Sequence, residues 1–198
     1  MHVIGLVGGV AAGKSLVGDC FARLSAEVLD ADSASHNVLR DNDVIAEACH
    51  LWGDGITKPD GQIDRRALGR IVFAPPPDGP RERAKLEQIV HPCVRKQFVD
   101  RIEQLRRVGS CPAAVIDAPL LLEAGWGSIC DHIVFVHADR DSRLARISDR
   151  GWSEEEFLAR ERAQMPLEEK RSSADIVIDN SGSPEQTYEQ VEAFWRRL

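Results

Sequence analysis

The sequence predicts a three-layer α/β/α fold, in which helices cover both faces of a five-stranded parallel sheet. Short apolar runs of strand length recur along the chain and alternate with longer stretches of helical periodicity, the pattern of a parallel sheet buried on both faces. A glycine-rich turn follows the first apolar run and opens the first helix. The chain has 198 residues, of which 43% are hydrophobic, so one domain of this class can bury a substantial core.

The predicted strands are short, and helical segments separate them. The strands are 3–7, Glu27–Asp32, Ala113–Asp117, 132–138 and 176–180. The sequence favours helices over 33–51, from a cap at Asp64, over Arg81–Val108 with a bend or restart near Pro92, and over Pro184–Arg197. Between the second and third strands the proline-rich stretch Ala74–Pro80 cannot be helix interior and is expected to join two helices.

The turn after the first strand matches the G-x-x-x-x-G-K-[ST] phosphate loop from Gly8 to Ser15 at every fixed position. Glycines in such a loop let successive amides point at phosphate oxygens, and the following helix presents its positive end to the same anion. Lys14 supplies a mobile positive charge for the β- and γ-phosphates, and the Ser15 hydroxyl is placed to ligate the bridging Mg²⁺. The motif therefore predicts ATP binding, while the phosphoryl acceptor stays open. The predicted ATP-binding positions here are Gly9, Val10, Ala11, Ala12, Gly13, Lys14, Ser15 and Leu16.

Acidic residues end the second and third predicted strands, where the carboxyl ends of parallel strands line a ligand crevice. Asp30 and Asp32 alternate and share one side if the strand stays extended. A carboxylate there can accept or orient the proton of an attacking hydroxyl, or it can cap a helix that begins near Ser33. The residues alone leave both roles open. Asp117 resembles a Walker B position, which would hold magnesium through water.

Arginines are concentrated between the fourth and fifth predicted strands. Arg143, Arg146 and Arg150 share a helix face, and like charges stacked in this way repel unless an anion or acidic neighbours offset them. We predict a lid that closes on the triphosphate and stabilises charge on the transferred group. The alternative is a solvated helix that pairs with its own acids at 154–156. The remaining arginines of the segment are Arg140, Arg160 and Arg162.

Composition narrows the classes of function. The net charge of −7 and the pI near 5.4 argue against a general nucleic-acid binder. No stretch approaches the ~18 uninterrupted apolar residues of a membrane span, and the first residues enter a strand directly, so we expect a cytoplasmic protein with no membrane partner. The five cysteines are scattered singly and are expected to be reduced packing residues. We expect a monomer.

Several blocks in this order resemble one family, the dephospho-CoA kinases of the P-loop nucleoside-monophosphate-kinase-like group. The phosphate loop is generic, whereas the His-Pro, Pro-Leu-Leu-x-Glu and Gln-Met-Pro-Leu-Glu-Glu-Lys blocks are much more specific, and together the blocks span nearly the whole chain. Besides the loop they are Asp30-Ala-Asp32, Asp60-Gly-Gln-Ile-Asp-Arg65, Leu86-Glu-Gln-Ile-Val-His-Pro92, Pro119-Leu-Leu-Leu-Glu123, Arg146-Ile-Ser-Asp-Arg150, Gln164-Met-Pro-Leu-Glu-Glu-Lys170 and Ala174-Asp-Ile-Val-Ile-Asp-Asn180.

The resemblance implies ATP- and Mg²⁺-dependent phosphorylation of the ribose 3′-hydroxyl of dephospho-CoA, the last step of coenzyme A synthesis. By that likeness Asp32 is the base or hydroxyl-orienting group and acts with Lys14 and Arg146 in catalysis. Arg150 supports Arg146, and Asn180 lies by the adenine. The positions that fall in the family's acceptor pocket, besides Asp32, are Arg65, His91, Pro119 and Leu120. The metal positions are Ser15 and Asp117.

The same resemblance implies one P-loop kinase domain over 1–198. Its parts are a core of about 1–57, 108–140 and 171–198, a helical acceptor-binding insertion of about 58–107 and a lid of about 141–170. The loop departs from the family's usual sequence at Ala11, which replaces a glycine and should have a backbone that tolerates a Cβ. It also departs at Leu16, which lacks a hydroxyl for the α-phosphate.

Two other functions are compatible with the phosphate loop. The first is a kinase for another nucleotide or small metabolite, which the acceptor-pocket blocks disfavour. The second is a nucleotide-dependent switch or an inactive ATP-binding protein. The chain has no Asn-Lys-x-Asp or Thr-Lys-x-Asp guanine-reading sequence, which argues against a GTPase. Turnover that depends on an added acceptor separates a kinase from a switch.

Overall fold

A parallel sheet of five strands forms the centre of the computed structural model, which describes residues 1–109 and 111–198. The strand order is β2-β3-β1-β4-β5, and every neighbouring pair is parallel. The predicted α/β class and five-stranded parallel sheet are therefore confirmed. The strands are β1 (His2–Gly8), β2 (Glu27–Asp30), β3 (Ala113–Asp117), β4 (His132–His137) and β5 (Ile176–Asp179).

Helices fill the connections between the strands, and side-chain caps set the start of several of them. Ser153 and Ser183 each form a capping box with the residue three positions later, and Asp139 caps through the backbone amide of Ser142. Within the described part of the chain, no helix has the length and apolar character needed to cross a bilayer. The helices are α1 (Lys14–Arg23), α2 (Ala31–Val38), α3 (Asn42–Trp52), α4 (Arg65–Val72), α5 (Asp78–Val108), α6 (Arg140–Asp149), α7 (Glu154–Arg162), α8 (Leu167–Ser172) and α9 (Pro184–Trp195), with short 3₁₀ turns at Asp54–Ile56 and Trp126–Ile129.

The main core lies around β1, the middle strand of the sheet. Ile4 and Leu6 are completely buried, and α1 and α9 pack in the same cluster. Phe21 of α1 meets Phe194 of α9 edge to face, with ring centroids 6.1 Å apart. Burial of this apolar surface stabilises the strand and the helix that flank the phosphate loop, so the loop is held at both ends by core elements.

The strand register brings the carboxyl ends of the central strands to one edge of the sheet. Asp117, the last residue of β3, is the register partner of Leu6 in β1 and of Asp30 in β2. Gly8, where the phosphate loop begins, pairs with Val136 of β4. Strand ends that carry acids therefore lie beside the strand end that carries the phosphate loop.

The chain divides into two compact units, Met1–Ala31 with Arg101–Leu198, and Asp32–Asp100. The second unit has its own apolar cluster, in which Ala48, Ile56 and Leu68 are buried. The boundary at Asp32 precedes the predicted start of the insertion at about 58. The assignment of core, acceptor insertion and lid stays a prediction.

Two local predictions about the chain before β3 are wrong, and of the two alternatives predicted at Pro92 the restart is excluded. The second strand ends at Asp30, because Ala31 already begins α2, so Asp30 and Asp32 do not alternate on one strand. Helix α5 continues through Pro92, and its buried residues on the C-terminal side of the proline, Val94 and Phe98, hold the helix together despite the lost backbone hydrogen bond. The same helix begins at Asp78, inside the predicted break, because a proline is tolerated in a first helical turn.

Candidate active site

The phosphate loop joins β1 to α1, and two of its residues have a left-handed backbone. Gly13, which directly precedes α1, has a φ of 89°, and Ala11 has a φ of 59°. This conformation is routine for glycine but costs an L-residue roughly 1–2 kcal/mol. The expectation of a backbone at Ala11 that tolerates a Cβ is therefore wrong. The Ala11 side chain is buried in a cluster with Ile147 and Phe157, and this packing offsets part of the strain.

Arg146 and Asn180, two predicted ATP-binding residues, bind the backbone of the phosphate loop. Arg146 Nη1 donates to the carbonyl oxygens of Ala12 at 2.9 Å and Ala11 at 3.2 Å, and its Nη2 donates to the carbonyl of Asn180 at 2.6 Å. Asn180 is 1% exposed, donates from Nδ2 to the same Ala12 oxygen at 2.8 Å and accepts from Thr187. Backbone carbonyls do not neutralise a cation, so the guanidinium keeps its positive charge at the loop.

The two predicted metal positions lie next to each other. Ser15 Oγ donates to Asp117 Oδ2 at 3.4 Å, and both residues are reached by solvent. Within the described residues no group of three or more histidine, cysteine, aspartate or glutamate side chains could hold a metal ion. Mg²⁺ is usually bound through one or two protein oxygens and completes its shell with water and substrate phosphates. A hydroxyl and a carboxylate beside a phosphate loop therefore fit Mg²⁺.

The lid arginines have different partners despite their common helix face. Arg143 is buried, forms an ion pair with Glu161 and lies over the ring of Phe157 at 5.3 Å. Its guanidinium also lies close to the loop. If Gly9 carried a Cβ atom, that atom would be 2.7 Å from Arg143 Nη1. Of the arginines on α6, Arg146 donates to the loop carbonyls and Arg143 packs against the loop backbone.

The outer arginines of this segment make contacts within it. Arg150 lies over the ring of Trp152 at 5.8 Å, and Arg160 lies over the same ring at 4.0 Å. Arg140 pairs with Glu154 at 2.6 Å, which is the pairing that the solvated-helix alternative predicts. Arg140 therefore has the pairing of the solvated-helix alternative and Arg146 contacts the phosphate loop, while the lid itself stays a prediction.

The predicted acceptor residues Asp32, Arg65 and His91 lie in the Asp32–Asp100 unit. Asp32 is exposed in the first turn of α2, and Arg65 is the first residue of α4. Arg65 Nη2 and His36 Nε2 are 2.6 Å apart, and since a guanidinium only donates, this ring nitrogen accepts. The sequence reasoning missed His36. Burial lowers the pKa of His91, which favours the neutral imidazole at pH 7.

The remaining acceptor positions, Pro119 and Leu120, follow β3 and belong to the unit that contains the phosphate loop. Lys170, which is 1% exposed, donates from Nζ to the Pro119 carbonyl at 3.0 Å and forms an ion pair with Glu123 at 2.9 Å. The sequence reasoning did not assign a role to Lys170 or Glu123. A signal was present, because each residue ends one of the three more specific family-like blocks.

A small cavity adjoins the phosphate loop on the side of β4. Its volume is about 160 Å³, and Gly9, Ala12, His137, Arg143 and Leu167 are among its lining residues. Pockets for whole cofactors are typically about 300–1,000 Å³. This cavity is smaller than such a pocket and forms part of the loop's surroundings.

Comparison with known proteins gives one consistent family. The dephospho-CoA kinase family model matches residues 2–186. A dephospho-CoA kinase from Symbiobacterium thermophilum is 46% identical over 99% of this chain and 81% of its own length. The crystal structure of TT1252 from Thermus thermophilus is 35% identical, with a TM-score of 0.80 over 100% of this chain and 97% of that one. A dephospho-CoA kinase from Campylobacter jejuni shares the fold at 23% identity, with a TM-score of 0.72 over 98% of this chain and 96% of that one.

Proposed function

The chain belongs to the dephospho-CoA kinase family, which phosphorylates dephospho-CoA with ATP in the last step of coenzyme A synthesis, and we propose how its residues carry out that transfer. The acceptor atom is the ribose 3′-hydroxyl oxygen. This oxygen forms a bond to the γ-phosphorus of ATP, the bond from that phosphorus to the β–γ bridging oxygen breaks, and ADP leaves. The 3′-hydroxyl proton goes to a base.

In this proposal ATP binds with its phosphates in the loop from Gly8 to Ser15. The amides of the loop and the N-terminal end of α1 face the phosphate oxygens, and Lys14 adds a mobile charge. Arg146 stabilises the negative charge that develops on the transferred group. The observation that carries the proposal is the position of Arg146 on the loop carbonyls, because it puts a guanidinium with further N–H donors at the loop that would hold the phosphates.

Ser15 and Asp117 would hold Mg²⁺, the first through its hydroxyl and the second through its carboxylate. When bound, this ion neutralises charge on the β- and γ-phosphates. Asp117 also has a role that does not depend on the ion. As acceptor of the Ser15 hydroxyl, it orients that side chain at the first turn of α1.

Asp32 is the proposed base, or the group that orients the 3′-hydroxyl. It is exposed and therefore accessible to an acceptor, and in the chain it closely follows the end of β2, whose last residue pairs with Asp117.

The proposed acceptor-binding residues are Arg65, His91, Pro119 and Leu120. Arg65 has further N–H groups besides the one that it donates to His36, and these groups suit binding of an anionic acceptor substrate. A cytoplasmic monomer without nucleic-acid or membrane partners belongs to the same proposal.

The decisive experiment measures ADP release by the purified protein with ATP and Mg²⁺, with and without dephospho-CoA, and follows the coenzyme product by mass. We expect stimulated ADP release and the gain of one phosphoryl group on the coenzyme. Lys14→Ala is the matched control, because it removes charge from a loop position that solvent reaches and should leave the protein folded but inactive. A protein that binds ATP but shows no stimulation would contradict the proposed acceptor.

The role of Asp32 is tested in the same assay with Asp32→Asn, which keeps the shape of the side chain and removes its basicity. We expect kcat to fall by about 10²- to 10⁴-fold, the range of general-base contributions, with a small change in KM for dephospho-CoA. If both kinetic parameters keep their wild-type values, Asp32 acts only at the start of α2 and the base must be sought elsewhere.

A further inference from the structure

Lys170 is a buried lysine whose ammonium group has three hydrogen-bond partners. Lysine is almost never fully buried unless it is paired, and Lys170 is 1% exposed. Its three hydrogen-bond directions are all used, toward the Glu123 carboxylate at 2.9 Å, the Pro119 carbonyl at 3.0 Å and Gln164 Oε1 at 3.0 Å. The ammonium group is therefore held in a fully specified position.

The partners of Lys170 come from two separate segments. Pro119 and Glu123 belong to the loop after β3, and Gln164 lies just beyond the end of α7. Glu123 reinforces this connection, because its Oε1 also accepts from the backbone amide of Met165 at 2.8 Å. The group of Lys170, Glu123 and Gln164 thus ties the loop after β3 to the C-terminal end of the proposed lid.

Stability alone is a poor explanation for this arrangement. Replacement of a buried ion pair by well-packed apolar residues of similar volume is often neutral or stabilising. An apolar replacement would, however, leave the Pro119 carbonyl without its donor. Besides the backbone hydrogen bonds within the loop after β3, the Lys170 ammonium on α8 supplies the donor that holds the Pro119 carbonyl.

We propose that Lys170 is a positioning residue for the acceptor, and that it acts by holding the Pro119 carbonyl so that Pro119 and Leu120 face dephospho-CoA in one conformation. The inference rests on the proposed assignment of Pro119 and Leu120 to the acceptor site. Lys170 does not touch the reacting atoms. Its loss should therefore weaken acceptor binding without a matching loss of the chemical step.

Steady-state kinetics of Lys170→Met and of the double variant Lys170→Met/Glu123→Gln test the proposal. Hydrogen bonds from charged groups correspond to about 10- to 100-fold in an equilibrium constant, so we expect KM for dephospho-CoA to rise by at least about tenfold. KM for ATP and kcat should stay within about twofold. Arg196→Met is the matched control, since Arg196 also pairs with a glutamate but lies outside the proposed insertion and lid with its side chain 72% exposed, and it should leave all parameters unchanged.

The double variant separates positioning from stability. It removes both charges, so its thermal unfolding should recover toward wild type relative to Lys170→Met, while KM for dephospho-CoA stays raised because methionine cannot donate to Pro119. Recovery of KM together with stability would overturn the positioning role. Leu120→Ala tests the assignment on which the proposal rests. A normal KM in Leu120→Ala would refute that assignment, whereas a raised KM there with a normal KM in both Lys170 variants would refute Lys170 alone.

Discussion

Gly13→Ala should destabilise the protein through two effects whose sizes follow from the structure. The φ of 89° at Gly13 costs an L-residue roughly 1–2 kcal/mol. The added Cβ would also lie 2.1 Å from Asn180 Nδ2, so this buried amide must move and give up its bond to the Ala12 carbonyl. A buried polar group left without a partner costs about 1–3 kcal/mol. We therefore expect a total loss of about 2–5 kcal/mol in the free energy of unfolding.

Urea unfolding followed by circular dichroism measures this loss as a lower midpoint at an unchanged m value. Gly125→Ala is the matched control, because Gly125 has a φ of 70° and nothing within 4 Å of an added Cβ. That variant should lose only the backbone contribution of roughly 1–2 kcal/mol. Equal losses in the two variants would refute the steric argument, and so would a cost for Gly13→Ala that persists in full in an Asn180→Ala background.

Three further predictions concern single side chains. Arg146→Lys should lower kcat by about tenfold or more in the ADP-release assay, because lysine cannot donate to several carbonyls in one plane and also meet a phosphate; a wild-type kcat would contradict the lid role. Asp117→Asn should raise the Mg²⁺ concentration needed for half-maximal activity while unfolding without Mg²⁺ stays near wild type; an unchanged Mg²⁺ requirement would exclude Asp117 from the metal site. The pKa of Glu82 is lowered to about 2, first by the hydrogen bond from Trp52 and then by Lys85 and Arg81. The stability that this carboxylate contributes is present above its unfolded pKa of about 4.3 and is lost as the pH falls toward 2, so Glu82→Gln should flatten the dependence of unfolding on pH in that window.

The fold was predictable because its strongest signals are local. The phosphate loop requires a strand before it and a helix after it, and both are present around Gly8–Ser15. Strands β3, β4 and β5 lie within a residue or two of their predicted limits, and for β3 and β4 the reason is that continuous apolar runs are buried in the middle of a layered domain. The blocks that resemble the family also predict roles for Arg146 and Asn180 at the ATP site.

The errors fall where distant packing overrides a local pattern. The end of the second strand depends on Ala31, which is buried and starts α2, although the acids on both sides suggest continued alternation. The left-handed backbone at Ala11 carries strain that is offset in part because its methyl group is buried in a cluster with residues of α6 and α7. No spacing rule brings Glu123 to Lys170, because their contact depends on the chain's path between β3 and α8.

The position of β1 in the sheet has a consequence for biosynthesis. Both of its edges are covered by strands made much later, since Ala113 of β3 follows Gly8 by 105 residues and β4 comes later still. At ribosomal rates of about 5–20 residues per second, the first strand waits roughly 5–20 s for its first neighbour. During this time the nascent chain carries a strongly apolar segment with two unpaired edges, which makes it a target for chaperones and for aggregation. A nascent chain can therefore pair both edges of β1 only after its ribosome has passed β4.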